Sequence, residues 1–534
     1  MVMRKPNTKK DNEKQFDRNG SKGRRSARVT SRAVRNSMSS RKDSMNVAEG
    51  EGSNDPAWYA VNPAIMRDAA SIPFSWASGT TTDLTGRSTF VHNLNIPGIQ
   101  VIGLSPSIGR SLQPNDPANV AATAVYSFVR HANSGSSNYD SPDLMLYLLA
   151  MSSVYSAIVW LERIYAEATL YSQRNRYLPR GLVFAEGVDF NDVNSHLADF
   201  RYGINVLINK AASFSVPNDM TIFKRHAFLY QNIYTEGSSV KDQIYMYVPY
   251  SFWKYNETGS QGGVLNQVST PYGNANLGTW KVQQLLDFVT DLLNPILASE
   301  DMNIMSGDIL KAYGADKCIK LTTLDEVRPM VPIFDIGVLE QMKNATISPF
   351  VGSSLDVTQD PTTNVLRCDP IMRLPGYGTA DHADDGAYLA IDNYQNDIAL
   401  TTSTDNTSPD LVMESSRLMA ATIEPPVIDG NYWSAKAITG TEAARGCSLI
   451  YQEGGLMKEY RGYYTNFPLS IGSSTTASGM VKFLNLINAL SNFDFHPRVR
   501  WIISDGTDTS AKSTLSDGDT FDYDNYAVIS VQDL

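Results

Sequence analysis

The chain has 534 residues, 45 Lys and Arg against 56 Asp and Glu, a net charge of −11 and 42% apolar side chains. That length is enough for two or three domains around a sizeable core. Its three cysteines, Cys318, Cys368 and Cys447, are odd in number and far apart, which argues against a disulfide framework or a zinc site and fits a reducing compartment.

The charge is unevenly distributed. Residues 1–42 hold fourteen cations and three acids, a net +11, so residues 43–534 carry −22. Between Asp17 and Asp43 no acid occurs, while Arg18, Lys22, Arg24, Arg25, Arg28, Arg32, Arg35, Arg41 and Lys42 do. With Lys9 and Lys10 these form the candidate nucleic-acid-binding set. Few sizeable apolar side chains accompany them, so burial cannot offset the entropy of ordering, and residues 1–46 are expected to be a basic, disordered arm. Arg24, Arg28, Arg32 and Arg35 would share one face of a helix if a phosphate backbone relieved their repulsion. Nonspecific binding to nucleic acid by counterion release is the natural use of such an arm. A solvated tail, an import signal around Lys22 to Arg28, and a membrane-surface helix are the alternatives. The last lacks Trp, Phe or Leu to sink into lipid. The N-terminus has no apolar signal core.

Residues 47–56 are acidic and Gly-rich, end in Pro56, and read as a linker. Beyond them, Ser88 to Leu104 alternates and is β-branched, predicting one or two strands broken at Pro97-Gly98. Asp116-Pro117 predicts a helix start running to about Ala132, and Ser141-Pro142 repeats the device. The second helix contains Leu144 to Leu161, eighteen uncharged residues, close to membrane-spanning length. Ser152, Ser153, Ser156, Tyr147 and Tyr155 interrupt it, and the helical pattern continues through Glu162, Arg163 and Glu167, so a buried core helix is expected. Another helix is expected from Asn191 to Ala212. Ile244 to Trp253 reads as a strand, and Lys254 to Gly278 as a long loop or boundary. Thr279 would cap a helix to about Leu293, ended or kinked by Asn294-Pro295. Ser348 to Asp410 reads as loop-rich, polar and acidic. Pro425-Pro426 is a second boundary, Gly479 to Leu490 a last helix, and Val499 to Ile503 and Tyr526 to Val531 two closing strands.

No Walker loop, nucleophile elbow or zincin motif occurs. The six histidines are scattered and read as structural or surface residues. Two acidic loops, Asp381 to Asp392 and Asp517 to Asp524, resemble calcium loops loosely, but Ala383 and Asp392 stand where carboxylate and Glu ligands are needed. Asn46 and Asn54 could cyclise onto their own backbone, a possible autoproteolysis of the arm, yet nothing positions a base beside them. Hence no catalytic residue, no metal, no cofactor and no small-molecule substrate are expected.

The order of features resembles the capsid proteins of picobirnaviruses, double-stranded RNA viruses. A basic arm leads into Asn54-Asp55-Pro56-Ala57-Trp58-Tyr59, then come the runs Val206 to Tyr234 and Asp242 to Asn256. Partitivirus capsids are the nearest confusable group. The resemblance implies a mainly α fold with some β (α+β), with a helical capsid shell domain, a loop-rich protruding domain and C-terminal strands. It implies a homodimer that builds an icosahedral shell, with RNA bound nonspecifically and no membrane span, in a virion assembled in the host cytoplasm. The divisions are then shell at 57–255, protruding domain at 256–425 and shell again at 426–534, with Trp253, Tyr255 or Trp433 as interface suspects. Two other classes remain. One is a glycan-binding protein of the SusD type, which would need a lipidated cysteine near its start. The other is an unrelated RNA-binding assembly protein.

Overall fold

The computed structural model describes residues 98–133, 138–170, 177–237, 242–258, 262–347, 350–375, 408–423 and 432–462, with short pieces at 62–64, 66–67, 79, 81–83, 93–95, 135, 400, 402, 427–429, 468–471, 489–497, 500–503 and 520–522. Contacts divide the chain at residue 74. In the first unit the described residues form one helical turn, where the Asn62 side chain accepts the Ala64 N–H. Everything below concerns the second unit.

Its strands are β1 (Thr81–Asp83), β2 (Asn93–Asn95), β3 (Ile99–Pro106), β4 (Tyr234–Thr235), β5 (Ile244–Pro249), β6 (Ser251–Thr258), β7 (Gly262–Ser269), β8 (Val357–Asp360), β9 (Val365–Arg367), β10 (Ile371–Pro375), β11 (Ala421–Thr422), β12 (Val427–Asp429), β13 (Tyr432–Ile438), β14 (Glu442–Glu453), β15 (Leu456–Gly462), β16 (Pro468–Ile471), β17 (Arg500–Ile503) and β18 (Thr520–Asp522). Its helices are α1 (Pro117–Ala132), α2 (Ser141–Thr169), α3 (Leu178–Ala185), α4 (Phe190–Ser195), α5 (Leu197–Ala211), α6 (Thr221–Leu229), α7 (Val282–Ala298), α8 (Glu300–Tyr313), α9 (Ile336–Lys343) and α10 (Pro409–Ser415). The fold is mixed α+β.

The organising element is α2. Nearly all of its 29 residues are buried, because α1, α3, α5, α6, α7 and β6 pack around it. It passes the length and hydropathy test for a membrane span, but its apolar surface is covered by the rest of the protein. The polar residues that interrupt it are satisfied by those neighbours. Ser152 Oγ meets His226 Nδ1 at 3.0 Å, Ser153 Oγ accepts the Trp253 N–H at 3.1 Å, and Tyr147 donates to the Ser215 carbonyl at 2.9 Å.

Beside α2 stands a five-stranded sheet in the order β15-β14-β3-β5-β4. β3 and β5 run parallel, and helices α1 to α6 lie between them in sequence, the long crossover that parallel pairing requires. Alternate residues of the sheet enter different cores. Ile102, Leu104, Tyr245 and Tyr247 join the α2 core, whereas Ile99, Val101, Met246 and Val248 pack with Leu182 and Ala185 of α3. Burial on both faces explains the unbroken apolar run in β5. β14, from late in the chain, pairs with β3. A second sheet, β6-β7-β8-β9, and a small cluster around Phe350, Leu355, Met372 and Ala437 lie further on.

Several expectations need correction. Asp116 does precede α1, but its carboxylate accepts the Leu112 and Gln113 N–H groups at 2.6 and 2.7 Å, so it secures the approach instead of the helix end. Asp140, one residue before Ser141, caps α2, and the Asp143 carboxylate accepts its N–H. The helix expected from Asn191 to Ala212 is two, broken at His196. The strand expected from Ile244 to Trp253 breaks at Tyr250, and the polar stretch after it, expected as loop, is the β6–β7 hairpin. Thr279 caps nothing: its N–H bonds to the Gly187 carbonyl, and Lys281 precedes α7, which continues through Pro295. The expected interface side chains Trp253 and Tyr255 are core, 1% and 8% exposed. Pro425-Pro426, the strand at 526–531, nearly all of the helix at 479–490 and the Trp433 side chain lie outside the described residues.

Candidate functional site

All eleven cations assigned to nucleic acid, Lys9, Lys10, Arg18, Lys22, Arg24, Arg25, Arg28, Arg32, Arg35, Arg41 and Lys42, lie outside the described residues. So do Asn46, Asn54 and the side chains of both acidic loops. The search for chemistry therefore falls on the body, where charged side chains meet in two buried groups.

The first is built by α2 and the end of α3. Arg163 and Glu186 are fully buried; Arg163 Nε donates to Glu186 Oε1 at 2.8 Å and a second guanidinium nitrogen also bonds it. Trp160 Nε1 donates to the other carboxylate oxygen at 2.8 Å, and Arg163 also reaches the Tyr247 carbonyl at 2.7 Å. Glu167, one turn along α2, sits 3.4 Å from Arg163 Nε, yet neither of its oxygens has a hydrogen bond. Burial, then the nearby Glu186 charge, pushes its pKa well above the ordinary carboxylate value. One guanidinium thus faces two buried carboxyl groups, and Glu167 is the less-bonded of them.

The second group joins α6 to the start of β14. Glu442 is buried, 2.6 Å from Arg225 and 3.5 Å from Arg417. Burial alone would raise its pKa, but the two guanidiniums hold it below the ordinary value. His226 Nε2 lies 2.8 Å from the Thr441 carbonyl, and burial lowers the His226 pKa. The carboxyl groups at the centre of both groups are buried. The two groups are clamps, one fixing α2 to α3 and β5, the other fixing α6 to β14.

The remaining reactive types are equally enclosed. Cys318, Cys368 and Cys447 are buried free thiols; burial pushes Cys368 and Cys447 up to about 12, far from thiolate character at neutral pH. Among the described residues no cluster of His, Cys, Asp or Glu could hold a metal ion.

What sequence reading missed is an exposed apolar ridge between α8 and α9. In the segment 319–335 the side chains of Val327, Val331 and Phe334 are 79%, 69% and 54% exposed. Beside Val327 a groove of about 680 Å³ opens between the end of α2 and the start of α5. The Val-Arg-Pro-Met-Val-Pro order, apolar residues spaced by prolines without helical or strand period, was the available signal.

Comparison with known proteins follows the same direction. The family model for Picobirnavirus, Capsid protein matches residues 58–439, more than half of the chain. A relative from Human picobirnavirus, named capsid protein precursor, is 34% identical over an alignment of 389 residues that covers 68% of this chain and 68% of the relative. The fold superposes on the X-ray crystallographic structure of the picobirnavirus capsid with a TM-score of 0.63, at 22% identity, over 89% of this chain and 96% of the other. These matches lead to one conclusion: the chain belongs to the picobirnavirus capsid protein family.

Proposed function

We propose that this chain is the coat subunit of a virion, pairing with a second copy, closing into an icosahedral shell and packaging RNA through its basic arm, with assembly in the host cytoplasm. The observation that carries the reading is the division of charge, +11 in residues 1–42 against −22 in the remainder. A polycationic segment neutralises phosphates, while an acidic body does not compete for them. Family membership supports self-assembly, and closed symmetric shells require large contacts between copies.

The pairing of β3 with β14 supports grouping the segments 57–255 and 426–534 as one shell domain. α7 and α8 join the α2 core, which supports reading only the later part of 256–425 as the outward projection. Size-exclusion chromatography and negative-stain microscopy test the reading. Uniform particles holding nuclease-protected RNA are expected, and a strict monomer at high concentration overturns it. Deleting residues 1–42 should leave particles that contain less RNA; equal RNA content removes the arm's role.

The relative's name, a precursor, favours one addition, that the arm is trimmed. The mass of purified particles should then fall short of the full chain by a segment from the N-terminus.

A further inference from the structure

We infer that the ridge around Val327, Val331 and Phe334 and the groove beside it form a self-complementary contact with a second copy of this chain. This rests on the coat-subunit reading and names the surface that reading requires. The ridge is held firmly by its own backbone. Both main-chain groups of buried Leu324 bond the Asn205 side chain, at 2.7 and 3.2 Å. Tyr165 donates to the Glu326 carbonyl at 2.8 Å, Arg328 pairs with Glu162, and Ile333 bridges to Tyr234 at the β4 end of the five-stranded sheet. A segment so fixed keeps Val327, Val331 and Phe334 exposed within eight residues of chain.

Alongside the ridge, Leu170, Leu197 and Ala198 line the groove. Arg201 and Glu326 also line it, with no salt bridge between them among those of the described residues, whereas Arg328 in the same lining pairs with Glu162. A projection, a hollow, a carboxylate and a cation around one groove suit a twofold axis: each copy's valines enter the other's groove while Glu326 approaches Arg201 across the axis. Charge complementarity of this kind favours a second copy over any partner lacking the reciprocal pattern.

Sedimentation velocity on the full chain tests this. Val327→Asp with Val331→Asp should raise the dimer dissociation constant at least about tenfold, as for a central apolar contact. Arg201→Glu should weaken pairing, and Arg201→Glu combined with Glu326→Arg should restore it. If the double aspartate variant fails to fold, by circular dichroism, the charge-swap pair decides alone. Wild-type protein that pairs, with variants that pair equally well, overturns this inference and leaves the coat reading intact; wild-type protein that never self-associates overturns that reading first. Because the three native thiols are buried, Val331→Cys adds a single exposed thiol. Its protection from alkylation should require concentrations at which the chain dimerises. Protection in dilute monomer that is lost on removing residues 1–46 would give the surface to the chain's own arm and overturn the proposal.

Discussion

Arg163, Glu167 and Glu186 show how one buried cation serves two buried carboxyl groups. Glu186 is held by Arg163 and Trp160, whereas Glu167 has only its approach to Arg163. Arg163→Met should therefore destabilise the protein by about 3–5 kcal/mol, because it strands a buried carboxylate. Glu167→Gln should cost little or stabilise, measured by urea denaturation. Glu236 gives a titration in an accessible range. Burial, opposed by the Tyr245 hydrogen bond and aided by the Asp494 charge, pushes its pKa up to about 7. A folded-state pKa above the unfolded value means its contribution is complete below the unfolded pKa and is lost as pH rises through about 7. Wild-type stability should thus show a falling component from about pH 4.5 to 7 that Glu236→Gln removes.

At the scale of elements, the hairpin between β14 and β15 turns on Gly454 and Gly455, with φ of +57° and +81°. Two successive left-handed residues suit a two-residue turn whose twist matches its strands. Gly455→Val should cost about 1–2 kcal/mol in thermal or chemical melts, with no open-space clash to blame, since a Cβ there meets nothing within 4 Å. This hairpin was legible as Gly-Gly between alternating runs, a signal the sequence reading passed over. The boundary at His196 was not legible. The apolar spacing of Phe200, Ile204, Leu207 and Ile208 continues the periodicity of the preceding residues, and only the packing of Val193 and Phe200 into the core, with the Asp192 carboxylate drawn to the Val282 N–H, sets two helices there. Polar β6 and β7 were misread for a related reason: Asn256 and Asn266 bond each other at 2.6 Å across the pair, which composition cannot reveal.

Over the whole molecule, charge sets a testable electrostatic behaviour. If all nine cations between Asp17 and Asp43 engage phosphates, RNA affinity should fall with salt on a log–log slope on the order of −6 to −8. Deleting residues 1–42 should flatten that slope, and filter binding across a salt series reads it directly. A slope unchanged by the deletion would move RNA binding to the body.

The amino-acid order alone determined the charge asymmetry, the α1 start at Pro117, and the burial of α2, since these depend on local composition and on residues a few positions apart. Only tertiary structure decided that Trp253 faces inward, that β14 returns to pair with β3 more than 300 residues earlier, and that the valines between α8 and α9 stay outside. Each of those outcomes is fixed by which distant surface meets the segment, and a one-dimensional pattern carries hydrophobicity without naming its partner.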